Sequence, residues 1–130
     1  MNKTLEQLPG NVIAGLEAFR KKEFYSAHEY FEDAWRKTPG SSREFYRALL
    51  HLSGGFFRLT QSRPGAAKKF FTHAIKWLVF FPSSYAGINT DLLTFRLENL
   101  IQAINTGIPC DTIQEEHLDH LLSLLYPRTL

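Results

Sequence analysis

The sequence predicts an all-α fold, a compact bundle of five or six helices. Apolar residues recur at helical spacing through most of the 130 residues, and no segment sustains the alternation of a strand. Proline and glycine fall between the periodic blocks, where they separate helices rather than interrupt them. Hydrophobic residues make up 44% of the chain, which is enough for a core. We therefore expect a single helical domain over residues 1–130.

The first half of the chain predicts three helices. The first is expected over residues 11–22 and the second over residues 24–37. Ser41 followed by Glu44 has the spacing of a capping box, in which the two residues satisfy each other's free backbone N–H groups. This motif predicts the start of a third helix, over residues 42–61.

The second half of the chain predicts three more helices, of which the last covers the others. The fourth is expected over residues 64–81 and the fifth over residues 90–105, separated by a loop. Asp111 or Thr112 can cap a sixth helix, because their side chains accept hydrogen bonds from free N–H groups. We expect this C-terminal covering helix over about residues 111–126.

A weak internal repeat links the second and fourth helices. Small and aromatic residues recur in both at the same spacing, as in the helix hairpins of tetratricopeptide arrays, where alanine lets neighbouring helices approach. Two units are too few for a solenoid, so we interpret the repeat as antiparallel hairpin packing of a tetratricopeptide-like kind. The first set is Ala27, Phe31, Ala34 and Arg36, and the second is Ala67, Phe71, Ala74 and Lys76.

Composition excludes several classes of protein. Fifteen basic and thirteen acidic residues give a formal net charge of +2, too balanced to indicate nucleic-acid binding. The single cysteine, Cys110, excludes an internal disulfide and a cysteine-based zinc cluster. The N-terminal segment lacks the apolar core of a signal peptide, and the longest apolar run, residues 77–81, is too short to span a bilayer. These features predict a cytoplasmic protein without membrane insertion.

Polar residues on the second and third helices form a candidate site. On a helical wheel His28 lies beside the apolar sector that contains Phe31 and Trp35, and Glu32 follows one turn later. A histidine on such a face needs partners for its polar atoms, and a nearby carboxylate would raise its pKa. The third helix has two apolar stripes, and a helix that is apolar on two sides is expected to be central. A narrow polar row runs between the stripes and consists of Arg47, His51, Gly54 and Arg58.

The two helices should pack antiparallel, because a short turn joins them. The acidic row of Glu29, Glu32 and Asp33 would then face the polar row of the third helix. Gly54-Gly55 costs about 1 kcal/mol per glycine relative to alanine inside a helix. That cost predicts the close approach of a neighbouring backbone or a ligand.

The cluster leaves two interpretations open. It is either a satisfied polar network that fixes the register of the helices, or a site for a small ligand, an anion or a metal. His28, Glu32 and His51 are the candidate metal ligands, and this donor set suits zinc, iron or manganese. No further strong ligand is evident beside these candidates, so the sequence assigns neither a metal nor a cofactor.

The second helix also carries a motif, Phe24-Tyr25-x-Ala27-His28-Glu29-x-x-Glu32-x-x-Trp35. It resembles the signature of the family catalogued as domain of unknown function (DUF) family 309. Similar segments follow at residues 45–52, 65–66 and 85–90, so the similarity covers about residues 19–100. In the first of these, Ala48 replaces the usual glycine and His51 the usual glutamine.

The family resemblance implies an all-helical bundle, cytoplasmic or plastid in distribution, without an assigned activity. Its signature residues map onto His28, Glu29, Glu32 and Trp35.

The leading functional hypothesis is a binding or protein-interaction module for an unknown protein or small ligand. The alternative is a metal-dependent or acid–base enzyme that uses His28 and Glu32. A homo-oligomer is a third hypothesis, because Trp77, Phe80 and Phe81 exceed what one small core can cover. The predicted binding cluster between the second and third helices consists of His28, Glu29, Glu32, Trp35, Arg47, His51 and Arg58.

Overall fold

Three helix hairpins follow one another along the chain in the computed structural model, which describes residues 8–125. Neighbouring hairpins pack through α2 on α3 and through α4 on α5, so the predicted all-α bundle is confirmed. A small antiparallel ribbon, in which Tyr85 pairs with Ile88, lies between the second and third hairpins. The elements are α1 (Gly10–Arg20), α2 (Phe24–Lys37), α3 (Ser42–Thr60), α4 (Pro64–Leu78), β1 (Ser84–Tyr85), β2 (Ile88–Asn89), α5 (Thr90–Asn105) and α6 (Cys110–Leu125).

All three hairpins are closed by the same turn. The first helix of each ends in a left-handed residue: Lys22 (φ 64°), Ser62 (φ 56°) or Gly107 (φ 80°). The N–H of the next residue reaches back to the last turn of the helix, as from Glu23 to the carbonyl of Ala18 at 2.9 Å. This is the Schellman motif, which satisfies carbonyl groups that a helix end leaves free. Because the turn recurs, all three hairpins reverse the chain in the same way.

A glycine–phenylalanine contact sets the distance between the helices of the first two hairpins. A Cβ added at Gly15 would lie 2.5 Å from the ring of Phe31, and one added at Gly55 would overlap the ring of Phe71. Both rings are buried. The internal repeat in the sequence therefore corresponds to two hairpins with the same close helix packing.

The helix α3 is central, as its two apolar stripes predict. Both stripes are buried except for the half-buried Phe57, and α2, α4 and α6 pack around the helix. The helix α6 packs on α5 and on α3. Tyr126, which the prediction included in this helix, lies outside the described residues.

Two predicted helix starts differ from the structure. Ser41 does precede α3, but its side chain makes no capping hydrogen bond, and Glu44 contacts Arg47 at 3.4 Å instead. The helix α6 begins at Cys110, before both predicted caps. Smaller differences occur at the ends of α1, α3 and α4.

Of the two aromatic residues that follow α4, one packs on its neighbours and the other is exposed. Phe81 packs on Phe45 and Tyr85, with ring centroids 5.3 and 4.8 Å apart, whereas Phe80 is 72% exposed. Homo-oligomerisation stays a prediction. No helix within residues 8–125 is long and apolar enough to cross a membrane.

Gly55→Ala should lower the free energy of unfolding by about 1–2 kcal/mol, because the overlap with Phe71 outweighs the helix propensity gained. Gly65→Ala is the matched control, since nothing lies within 4 Å of its added Cβ. The control should be neutral or stabilising in urea denaturation. Equal effects of the two substitutions would contradict the packing constraint.

Lys22→Gly should raise the free energy of unfolding by about 1 kcal/mol, because glycine has no steric penalty in the left-handed region. Lys21→Gly is the control, since Lys21 has φ −81° and gains nothing from glycine. Thermal unfolding of the two variants checks the sign, and a fall in Tm for Lys22→Gly would contradict the assigned strain.

Candidate functional site

His28 lies at the edge of the buried face of α2. The buried residues of this helix are Phe24, Ala27, Phe31 and Ala34, so the histidine is beside the apolar stripe and not within its centre. Its ring lies 6.3 Å from that of Tyr25 in a nearly parallel arrangement, and 6.4 Å from Phe70 of α4, edge to face. The side chain of His28 is partly buried.

The surroundings of His28 favour the neutral form of its imidazole. Burial lowers its pKa, the carboxylates of Glu32 and Glu29 oppose this shift, and Arg58 adds to it. The carboxylates do raise the pKa of His28, as expected from the sequence, but burial outweighs them and the net shift is downward. The Nδ1 atom is buried and has no hydrogen-bond partner among the described residues.

The acidic residues of α2 do not pair with the polar row of α3. Glu32 binds Arg36 of its own helix at 2.6 Å. Asp33 binds Lys37 at 2.9 Å and accepts a hydrogen bond from Asn11 of α1 at 3.0 Å. Within residues 8–125 no salt bridge joins α2 to α3, so the predicted charge pairing across the two helices is wrong.

Aromatic rings take the place of the expected ion pairs. Tyr25 of α2 packs on Phe57 of α3 with centroids 5.2 Å apart. Phe70 of α4 comes so close to α3 that a Cβ on Gly54 would lie 2.8 Å from its ring. The glycine pair of α3 thus makes room for side chains of α4, whereas the sequence suggested a backbone or a ligand.

His51 lies in the middle of this aromatic surface. Its ring is 5.9 Å from Phe70 and 5.3 Å from His73 of α4. Burial, reinforced by His73, Arg47 and His28, lowers the pKa of His51 to about 4. Its Nδ1 atom is also buried without a partner in the described part of the chain. Phe70 therefore lies between two neutral histidines of α2 and α3.

The two arginines of the polar row are separated along α3. Arg58 hydrogen-bonds Gln61 at 2.8 Å and lies over the rings of Phe57 and Phe70. Arg47, near the other end of the helix, lies over the ring of Trp35 with 5.0 Å between its Cζ atom and the ring centroid. The structure therefore assembles only part of the predicted cluster, and each charge has partners outside it.

Two adjoining grooves run along the exposed side of α2. One has a volume of about 340 Å³ and is lined in part by His28, and the other has a volume of about 360 Å³ and is lined in part by Tyr30. Both contain Glu29 and Asp33. The tyrosines that flank the grooves, Tyr25 and Tyr30, are 54% and 44% exposed. The residues that line the first groove are Tyr25, His28, Glu29, Glu32, Asp33 and Arg36.

The candidate metal ligands do not form a ligand set. Across residues 8–125 there is no group of three or more histidine, cysteine or carboxylate side chains placed to hold a metal ion. His28, Glu32 and His51 therefore give no three-ligand metal centre.

Residues 12–70 match the model of a family described as Domain of unknown function (DUF309). This segment belongs to DUF309. The match supports the family resemblance, and it ends before the similar segment at residues 85–90. No curated protein and no solved structure matches the chain.

Three residues that complete the surface beside the DUF309 motif were not assigned to the site from the sequence. Phe70, His73 and Trp77 lie on α4, at the spacing of one helix face. His73 is exposed, yet its ring contacts that of His51. The i, i+3, i+7 spacing of these aromatic and histidine side chains was the available signal.

The stability of the protein should fall as the pH is lowered from about 6.5 towards 4. The folded state holds His51 neutral, whereas the unfolded chain binds a proton at the ordinary pKa. With an allowance for the partial exposure of His51, we expect the free energy of unfolding to fall by about 1–2 kcal/mol between pH 7.5 and pH 5. Urea denaturation at both pH values measures it, and His51→Gln should reduce the difference. An undiminished difference in that variant would contradict this assignment.

Proposed function

We propose that this DUF309 protein is a protein-interaction module whose α2 grooves bind a basic segment of a partner protein. The observation that carries the proposal is the lining of the grooves, where two exposed tyrosines flank Glu29. Exposed tyrosines are typical of binding surfaces because they offer a large contact area at a low entropic cost.

The charge of the grooves favours a basic ligand. The residues that line the groove beside His28 include three carboxylates and one arginine. Glu32 and Asp33 are engaged by Arg36 and Lys37, while Glu29 has no ion-pair partner among residues 8–125. An arginine or lysine side chain can pair with Glu29 and lie over the ring of Tyr25. The neutral His28 adds a hydrogen-bonding edge without repelling such a cation.

The alternative of an acid–base enzyme has less support. His28 is neutral and therefore able to accept a proton, but the carboxylate of Glu32 is bound to Arg36 at 2.6 Å. The carboxylate that would orient the base is thus engaged elsewhere.

The proposal is tested by titrating the isotope-labelled protein with a lysine–glycine peptide and with its glutamate counterpart. The basic peptide should shift the NMR signals of Tyr25, Glu29 and Tyr30, and the acidic peptide should not. Glu29→Gln should weaken the binding about two- to fivefold, as expected for one exposed charge pair. Glu98→Gln, an exposed carboxylate on α5, is the matched control. Equal responses to both peptides would overturn the proposal.

His28→Ala separates a structural from a binding role. If His28 contributes to the grooves, the variant should bind the basic peptide more weakly while its free energy of unfolding changes little. A loss of a few kcal/mol of stability, with the affinity of the remaining folded protein unchanged, would assign His28 to the helix packing alone.

A further inference from the structure

Two arginines of α3 converge on one indole ring at the C-terminal end of α2. The Cζ atoms of Arg43 and Arg47 lie 5.1 and 5.0 Å from the ring centroid of Trp35. Arg47 also lies 4.2 Å from the ring centroid of Trp77 on α4. The Nε atom of Arg43 donates a hydrogen bond to the backbone carbonyl of Trp35 at 3.1 Å, which fixes its guanidinium beside the ring.

These two cations have too little negative charge around them. Among the described residues, Glu44 alone forms a salt bridge with either of them, and its carboxylate is 3.4 Å from Nη1 of Arg47. This distance exceeds the 2.7–2.9 Å typical of a charge-assisted hydrogen bond. No acceptor within residues 8–125 meets the terminal Nη atoms of Arg43. Gathering two guanidinium groups over one ring costs energy unless an anion compensates them.

Trp35 supplies a third unsatisfied donor. Its Nε1–H is buried and has no hydrogen-bond partner in the described part of the chain. Leaving a buried donor without an acceptor costs about 1–3 kcal/mol. The indole N–H and the two guanidinium groups thus lie around one ring and offer donors for the oxygens of an anion.

We propose that Arg43, Arg47 and Trp35 form a binding site for the carboxylate or phosphate group of a ligand. The planar guanidinium fork suits both groups, because it can donate two parallel hydrogen bonds to two of their oxygens. Trp35 and Trp77 hold Arg47 in place before the ligand arrives, which lowers the entropic cost of binding. The carboxylate of Glu44, which is 3.4 Å from Nη1 of Arg47, is displaced from that atom by the incoming anion.

This anion site is independent of the basic-peptide grooves. It takes a ligand of opposite charge, and none of its residues lines either groove. A negative result in the test of one proposal therefore does not contradict the other.

The experiment uses the two tryptophans of the chain as reporters. The protein is titrated with inorganic phosphate and, separately, with acetate at constant ionic strength, and the indole N–H signals are followed by NMR. We expect the Trp35 signal to shift in a saturable manner. A signal that does not saturate with either anion would overturn the site.

Arg47→Gln and Arg43→Gln should each weaken anion binding about tenfold, as expected for a lost hydrogen bond to a charged group. Arg47→Lys keeps the charge but loses the guanidinium fork, so its affinity for the anion should lie between those of the unchanged protein and of Arg47→Gln. Arg58→Gln is the matched control, since Arg58 lies on the same row of α3 and over aromatic rings but away from Trp35. Equal weakening by the control would overturn the proposal.

The two anions distinguish the sources of the ligand group. Tighter binding of phosphate assigns the site to a phosphate-bearing ligand, and tighter binding of acetate assigns it to a carboxylate, such as an acidic side chain. Unfolding curves of Arg47→Gln show whether the variant is folded. If it is not, Arg43→Gln and Arg47→Lys decide the question, and unchanged affinity in both contradicts the proposal.

Discussion

The close contact between a glycine on one helix and a phenylalanine on the next determines the geometry of this protein. Gly15 receives the ring of Phe31, and Gly55 receives the ring of Phe71. Without a Cβ in the way, the helices of each hairpin approach closely, and the aromatic ring fills the space between them. Because α3 takes part in the second hairpin and also packs on α2, the same constraint puts α2 and α4 on either side of it.

This placement decides how the polar row of α3 is solvated. Aromatic rings from the two flanking helices occupy the space beside His51 and Arg47, and no carboxylate of α2 reaches them. An imidazole in such surroundings is neutral, since burial penalises its charged form. A guanidinium cannot lose its proton, so it keeps its charge and lies over the indole rings instead. On one row of α3 the histidine is therefore neutral, whereas the arginine stays charged.

The elements of the fold could be predicted from the sequence, because helical periodicity and the turn residues act locally. The bounds of α2 and α5 agree with the prediction to the residue, and the central position of α3 followed from its two apolar stripes. The partners of the polar residues could not be predicted in the same way. A helical wheel shows that Glu32 faces the region of α3, but it cannot show that Phe70 of a third helix fills that region. The pairing of Glu32 with Arg36, by contrast, was available from its i, i+4 spacing.

The two ends of α2 differ in charge, and they are far enough apart that the charges at one end have little effect at the other. Seven residues separate His28 from Trp35, which is about 10 Å along the axis of a helix. This distance is comparable to the Debye length at physiological ionic strength, so solvent ions screen most of the interaction between the exposed charges of the two ends. Glu29 at one end therefore does little to neutralise Arg43 and Arg47 at the other. The excess of positive charge around Trp35 is therefore a local property, and Glu44, 3.4 Å from Arg47, is the carboxylate that offsets part of it.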